Sequence, residues 1–177
     1  MVSVWVWMLG EVAFRVRNRG GVNRFEWSLV AVAASLGLGV GVAFVAVSQH
    51  ASAFAGGWAP VVVGVSLFVA GLSLRFWAIL TLGRFFKVTV SIQAGHRVIR
   101  TGPYRLLRHP SYSGLLVALL GLGLMLETWL GLVALIVLPL IGVLIRIRVE
   151  EPVLIDALGS EYASYAAETR RLIPGVW

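Results

Sequence analysis

The sequence has 177 residues, of which 59% are hydrophobic and 13% are charged, and its mean hydropathy is +0.89. So few charges could not cover the apolar surface of a soluble domain of this size, and the composition therefore predicts an all-α integral membrane protein of one domain. The absence of cysteine excludes disulfides and thiol catalysis, and three scattered histidines predict no metal site. The net charge of +7 is assigned to basic loops beside membrane helices and not to nucleic-acid binding, since the basic residues flank apolar segments.

About five transmembrane helices are predicted from the apolar segments in chain order. The first is short, with an interfacial helix as the alternative, and the last two form a helical hairpin that turns at Glu127-Thr128. The predicted helices are Val2–Phe14, Trp27–Val47, Trp58–Leu82, Tyr112–Leu126 and Trp129–Ile145. Gly37, Gly39 and Gly41 in the second helix predict close contact with a neighbouring helix.

The distribution of basic residues predicts the orientation in the membrane. Apart from Arg75 within the third apolar segment, the arginines and the lysine occur at residues 15–24, at 84–108 and from Arg146 onward, whereas the segment 48–57 and the turn at Glu127 have neither. Because basic residues stay on the cytoplasmic side, the long loop Gly83–Ser111 and the C-terminal segment after Arg146 are predicted to be cytoplasmic. Residues 1–82 then form N-terminal transmembrane helices, and residues 83–177 form the part that carries the chemistry.

The long loop predicts two polar features. Residues 86–99 are β-branched and partly alternating around Ala94-Gly95, which favours a hairpin on the membrane surface. Arg108 and His109 then precede Pro110, a residue suited to the first turn of a helix. Free N–H groups at that helix start would form an anion site beside the two basic side chains, and a simple helix cap is the alternative.

The C-terminal segment places Arg146 four residues before Glu150, so that the two share one helix face. Pro152 is expected to end this helix near Arg148 and to start a new C-terminal helix. One interpretation is a surface cluster of ion pairs. The other is a site for a zwitterionic cofactor such as S-adenosylmethionine, with a glutamate at its ammonium and the helix start at its carboxylate.

Two longer runs resemble the isoprenylcysteine carboxyl methyltransferase family over about residues 75–174. The first comprises Gly95–Ile99, Gly102–Arg105 and Arg108–Gly114, and the second comprises Arg146, Glu150, Glu151, Leu154, Gly159, Glu161, Tyr162, Tyr165, Thr169 and Arg171–Pro174. The resemblance implies a membrane methyltransferase that uses S-adenosylmethionine, bound in a cytoplasm-facing pocket. Pro152 departs from the pattern of the family, where another acid or a helix former often follows the paired acids.

The resemblance also implies roles for individual residues. Arg146 would be the catalytic residue and would face the substrate. The implied cofactor contacts are His96, Arg97, Val98, Ile99, Tyr104, His109, Pro110, Ser111, Tyr112 and Glu150. The expected partners are a lipophilic small-molecule or prenylated substrate and the membrane lipids. The carboxylate of an isoprenylcysteine-like substrate is the first choice of methyl acceptor. The alternatives are methylation of another lipid or isoprenoid, an NADPH-dependent membrane reductase of the sterol reductase type, and a membrane scaffold without catalysis.

Overall fold

A computed structural model describes residues 24–54, 56–83, 98–175 and 177. The predicted first helix at Val2–Phe14 and nearly all of the predicted surface hairpin lie outside these residues. The described chain contains four α-helices and one short 3-10 helix, Gly102–Arg105. The α-helices are α1 (Arg24–Ser48), α2 (Trp58–Leu82), α3 (Pro110–Met125) and α4 (Trp129–Glu168).

Three of the four α-helices are long and apolar enough to cross a bilayer, namely α1 from Trp27 onward, α2 and α4. Each of α1 and α2 has 25 residues, about 37 Å of helix against a hydrocarbon core of about 30 Å. Large apolar side chains lie on their outer faces, and Phe44 and Leu80 are 74% and 77% exposed, as contact with lipid requires. The chain is therefore an integral membrane protein, as predicted.

Glycines bring α2 and α3 into backbone contact at two levels separated by two helical turns. A Cβ atom on Gly71 would lie 2.6 Å from the carbonyl oxygen of Gly114, and one on Gly64 would lie 2.7 Å from that of Gly121. Neither space admits a methyl group, so the two helices pack through small residues, the usual solution within a membrane.

Helix α1 packs along α4 by similar means. A Cβ atom on Gly39 would lie 3.0 Å from the Ala134 carbonyl oxygen, and one on Gly142 would meet Val32 Cα at the same distance. The prediction of close packing is confirmed for Gly39 but is wrong for Gly37 and Gly41, which have no atom within 4 Å of such a Cβ. These two glycines lie on other faces of the helix, which turns by about 100° per residue.

The α1–α2 loop and the α3–α4 turn are joined at one end of the helices, which we call the turn end. Ala53 and Thr128 form an antiparallel bridge, and the N–H group of Phe54 donates to the Glu127 carbonyl oxygen at 3.1 Å. The Glu127 side chain accepts the Gly57 N–H group, also at 3.1 Å. The predicted turn at Glu127-Thr128 is confirmed, with Glu127 at a φ of 53°.

Helix α4 has no break at Pro152, so the predicted end of the helix near Arg148 is wrong. It runs helically through Pro152 and contains one non-helical residue, Gly159, with a φ of 56° and a ψ of −134°. A proline removes one helical hydrogen bond and bends the helix, whereas a φ of 56° ends its regular path and suits glycine. The separate C-terminal helix therefore begins after Gly159, and Arg146, Glu150 and Glu151 belong to one uninterrupted stretch of helix.

Candidate active site

Glu150 forms a small hydrogen-bonded centre with Arg146 and Tyr112 where the apolar part of α4 ends. Its Oε2 atom accepts the Tyr112 hydroxyl at 3.0 Å and lies 3.5 Å from Arg146 Nε. The Arg146 Nε–H group also points to the Tyr112 oxygen, at 3.4 Å. The predicted shared face of Arg146 and Glu150 is thus confirmed, and α3 contributes the third member. We call these three residues the Glu150 centre.

The Glu150 centre is buried on its cationic side and open on its acidic side. Arg146 is 2% exposed, and its Nη1 donates to the Ser28 hydroxyl of α1 at 2.8 Å, so the guanidinium lies among α1, α3 and α4. The Glu150 side chain is 20% exposed. Its Oε1 accepts no hydrogen bond from the described part of the chain, so this oxygen is available to a ligand that can donate one.

The start of α3 lies beside this centre. The helix begins at Pro110, two residues before the predicted bound at Tyr112, with the proline in the first turn as predicted and His109 as the N-cap residue. The His109 ring stacks on the Tyr112 ring at 5.7 Å between centroids. The N–H groups of Tyr112 and Ser113 both donate to the His109 carbonyl oxygen, at 3.0 and 3.2 Å. The anion site predicted from free N–H groups therefore has fewer open donors than the sequence suggests, because Pro110 has no N–H group, the Tyr112 N–H group bonds within the first turn, and the His109 N–H group donates to the Arg171 carbonyl oxygen.

Tyr104, on the 3-10 helix, lies near Glu150 and Tyr112. It is 6% exposed, and its carbonyl oxygen accepts the Tyr165 hydroxyl at 2.8 Å. Burial raises the pKa of the Tyr104 phenol, and the neighbouring Tyr165 and the negative charge of Glu150 raise it further. The phenol consequently stays protonated and neutral at any physiological pH.

Glu151 occupies a second centre on another face of α4, which we call the Glu151 cluster. Its Oε2 accepts a hydrogen bond from Arg171 Nε at 2.9 Å and lies 2.8 Å from Arg171 Nη2. Its Oε1 lies 3.2 Å from Arg108 Nε and 3.6 Å from His109 Nε2. Oε1 and these two nitrogens are all buried and lie close together, but they lack the alignment of hydrogen bonds. The hydrogen bond to Glu151 raises the pKa of the Arg171 guanidinium.

A short parallel backbone pairing holds the C-terminal segment against the residues that precede α3. Leu107 pairs with Arg170, and the N–H groups of Arg108 and His109 donate to the carbonyl oxygens of Arg170 and Arg171, at 2.7 and 3.1 Å. The Ser113 hydroxyl donates to the Leu172 carbonyl oxygen at 2.6 Å. The Glu151 cluster therefore connects α4, the start of α3 and the C-terminal segment.

Val98 and Ile99, both predicted to contact a cofactor, lie along the last part of α4. The Val98 N–H group donates to Glu161 Oε1 at 3.2 Å, and the next residue, Arg100, pairs with Glu168 at 2.8 Å. Arg100 and Glu168 also line a cavity of about 180 Å³ together with Tyr104, Arg105, Tyr165 and Thr169. His96 and Arg97 lie outside the described residues.

The structure thus brings part of the predicted site together. Residues on the 3-10 helix, at the start of α3 and on α4 meet around the Glu150 centre: Tyr104, His109, Tyr112, Arg146 and Glu150. Pro110 and Ser111 belong to the same first turn of α3 and are buried.

Three contacts of this region were not predicted from the sequence. Arg146 bonds to Ser28, Glu151 joins two arginines and a histidine, and Arg75 of α2 donates to Ser111. The sequence carries a signal for Arg75 alone, as a single charged residue in an otherwise apolar span. The other contacts connect residues that are 20 to 118 positions apart and follow no local pattern.

Comparisons with known proteins concern the family and the fold of the chain. Residues 63–156 match the model of the isoprenylcysteine carboxyl methyltransferase (ICMT) family. A probable protein-S-isoprenylcysteine O-methyltransferase of Oryza sativa subsp. indica is 34% identical over 119 residues, which are 66% of this chain and 62% of the relative. Protein-S-isoprenylcysteine O-methyltransferase B of Arabidopsis thaliana is 33% identical over 115 residues, 64% of this chain and 58% of the relative. The chain therefore spans about 60% of the length of these plant relatives.

A solved structure of the eukaryotic intramembrane Ras methyltransferase ICMT has a similar fold. The superposition has a TM-score of 0.62 and covers 88% of this chain and 55% of that chain, with 24% sequence identity. At that identity the likeness concerns the arrangement of the helices alone.

Proposed function

The chain belongs to the isoprenylcysteine carboxyl methyltransferase family, and we propose that it transfers a methyl group from S-adenosylmethionine to a lipophilic acceptor. The first choice of acceptor is the carboxylate of an isoprenylcysteine-like molecule. The observation that carries the proposal is the Glu150 centre. It places a buried guanidinium and a carboxylate with one open oxygen side by side, where apolar helices give way to polar chain.

The residues of the Glu150 centre fit the chemistry of this cofactor. S-adenosylmethionine has an ammonium, a carboxylate and a positive sulfonium, and it supplies an electrophilic methyl group. The open Oε1 of Glu150 would accept the ammonium in a charge-assisted hydrogen bond. His109, Pro110, Ser111 and Tyr112 at the start of α3 would hold the remainder, with Tyr104 and the Val98-Ile99 segment on the other side.

Methyl transfer to a carboxylate needs no general base, because the carboxylate is already ionised at neutral pH. A carbon–oxygen bond forms as the carbon–sulfur bond breaks, and the products are a methyl ester and a neutral thioether. The protein has to position the two reactants and exclude water. Arg146 would orient the acceptor carboxylate, and its contacts with Ser28, Tyr112 and Glu150 would hold the guanidinium in one orientation while it does so.

The lipid portion of the acceptor would remain in the bilayer. The helices that surround the Glu150 centre expose apolar side chains to lipid, and a prenyl-like chain would stay in contact with these side chains instead of entering water. The hydrophilic cofactor would arrive from the aqueous side, which we assign to the cytoplasm because of the basic residues around the site.

The proposed orientation is tested with single cysteines in a chain that has none of its own. Gln49, near the turn end, and Ser164, on the last part of α4, are both exposed. We expect an impermeant thiol reagent to label Gln49→Cys in intact cells and Ser164→Cys only after permeabilisation. The reverse pattern would invert the topology.

The activity is tested with the purified full chain in lipid nanodiscs and S-adenosylmethionine labelled on its methyl group. We expect label to enter a base-labile ester of a farnesylated or geranylgeranylated cysteine derivative. Label in a different lipid would support the alternative acceptor. Binding of NADPH without binding of S-adenosylmethionine would support the reductase, and binding of neither would support the scaffold.

A further inference from the structure

Arg75 is an unusual residue in its helix. It is the only charged residue of α2, Trp58–Leu82, and lies seven residues before its end, about 10 Å along the axis. The next two side chains, Phe76 and Trp77, are 59% and 55% exposed on the outer surface. A cation inside an apolar helix is costly and generally serves a specific contact, so its partner indicates its role.

The partner of Arg75 is the first turn of α3. Its Nη1 donates to the Ser111 carbonyl oxygen at 3.1 Å and lies 3.2 Å from the Ser111 hydroxyl oxygen. Among the residues that the structure describes, no carboxylate lies within 4.0 Å of this guanidinium. Arg75 is therefore held by a neutral residue of the candidate site and not by an ion pair.

The close packing of the two helices sets this contact. A Cβ atom on Gly114 would lie 2.7 Å from the Arg75 backbone nitrogen, so the backbone of Arg75 rests directly on α3. The close approach at Gly71 and Gly114 thus delivers the guanidinium to the turn that begins α3.

The positive charge of Arg75 does not stabilise the start of α3. The N-terminus of a helix carries a partial positive charge, and a cation placed there is disfavoured. The contact is better explained by the geometry it imposes, because it fixes Ser111 between His109, which stacks on Tyr112, and Tyr112, which bonds to Glu150.

We infer that Arg75 is a positioning residue that fixes the first turn of α3 in the geometry required to bind S-adenosylmethionine. It acts through Ser111 and does not touch the reacting atoms. The inference rests on the proposed function. It adds a residue of α2, remote in sequence from the two runs around His109 and Glu150, to the residues on which cofactor affinity depends.

The test compares Arg75→Met with Arg148→Met, which removes the same charge from an exposed position of α4. Both measurements use the full chain in nanodiscs. Calorimetry gives the Kd for S-adenosylmethionine, and a methyl-transfer assay at saturating cofactor gives kcat. We expect Arg75→Met to raise the Kd roughly ten- to hundredfold, because loss of a charged hydrogen-bond donor lowers the fraction of molecules whose first turn of α3 has the binding geometry, and to leave kcat unchanged. Arg148→Met should change neither quantity.

Two further variants separate positioning from a merely structural role. Arg75→Lys retains a donor near Ser111 and should recover part of the affinity. Ser111→Ala should weaken binding in the wild type but add little in the Arg75→Met background, because the two residues act through one contact. Two outcomes would overturn the inference but not the proposed function. In the first, the wild type binds S-adenosylmethionine and Arg75→Met binds it with the same Kd. In the second, Arg75→Met loses affinity, kcat and thermal stability to the same degree, and Arg75→Lys recovers none of them. A wild-type chain that binds no S-adenosylmethionine would overturn the proposed function and the inference with it.

Discussion

Glu150 and Glu151 are adjacent on α4, but their surroundings differ. Glu150 has one oxygen occupied by Tyr112 and Arg146 and the other open, and its side chain is 20% exposed. Glu151 has both oxygens surrounded by cationic or imidazole nitrogens from Arg108, His109 and Arg171, and its side chain is 11% exposed. The first carboxylate is available to a ligand, whereas the second is used by the protein itself.

The difference follows from helix geometry. Successive residues point about 100° apart, so Glu150 faces α3 within the helix bundle while Glu151 faces the C-terminal segment. The same residue type, repeated once, can therefore serve binding at one position and folding at the next. The predictions below test this division, in order of decreasing effect.

The largest effect is expected on stability, from Glu151→Gln. This change leaves Arg108, whose side chain is 12% exposed, without its carboxylate. We expect the free energy of unfolding to fall by roughly 3 kcal/mol, the lower end of the range for breaking a buried ion pair, since Arg171 is partly exposed. Unfolding in mixed micelles with a denaturing detergent measures this loss.

The matched control is Glu168→Gln, which removes a carboxylate that is 60% exposed and paired with Arg100. We expect a change of about 0–1 kcal/mol there. If Glu168→Gln and Glu151→Gln destabilised the protein equally, the Glu151 cluster would have no special structural role.

The second effect is expected on cofactor affinity, from Glu150→Gln. Losing the carboxylate that accepts the ammonium should cost about 2–3 kcal/mol of binding free energy, because the site is only partly buried. S-adenosylmethionine and its demethylated product should both bind more weakly, since each carries the ammonium. Calorimetry with both ligands measures this loss. An unchanged affinity together with a large loss of stability would show that both glutamates are structural.

The smallest effect is expected on turnover, from Arg146→Lys. Lysine keeps the positive charge but lacks the planar fork that orients a carboxylate through two donors. We expect kcat to fall by about tenfold, equivalent to about 1.4 kcal/mol of activation free energy, while the Kd for S-adenosylmethionine stays near the wild-type value. Steady-state assays with saturating cofactor and a saturating prenylcysteine acceptor measure kcat. A parallel loss of cofactor affinity would mean that Arg146 and Glu150 act as one ion bridge.

The membrane part of the fold was largely predictable from the sequence. The predicted bounds of α2, Trp58–Leu82, coincide with those observed, and the turn at Glu127-Thr128 lies between α3 and α4 as expected. Bilayer thickness sets the length of an apolar helix directly, so composition along the chain is sufficient. The helix start at Pro110 and the shared face of Arg146 and Glu150 were predictable for a similar reason, because both depend on residues within one helical turn.

Other features of the site followed no local rule. The expectation that Pro152 divides α4 was wrong, because α4 tolerates the missing hydrogen bond and breaks at Gly159 instead. The expectation that all three glycines of α1 pack closely failed at Gly37 and Gly41, since the position of α4 decides which face of α1 is covered.

The sequence by itself thus determined the membrane class, the apolar helices, the family and the paired acids. Only the tertiary structure decided that Glu150 stays open while Glu151 is enclosed, that Ser28 meets Arg146, and that Arg75 reaches Ser111. The physical reason is range. Apolar length and helical spacing act between residues a few positions apart, whereas these contacts arise after glycine packing has brought separate helices together.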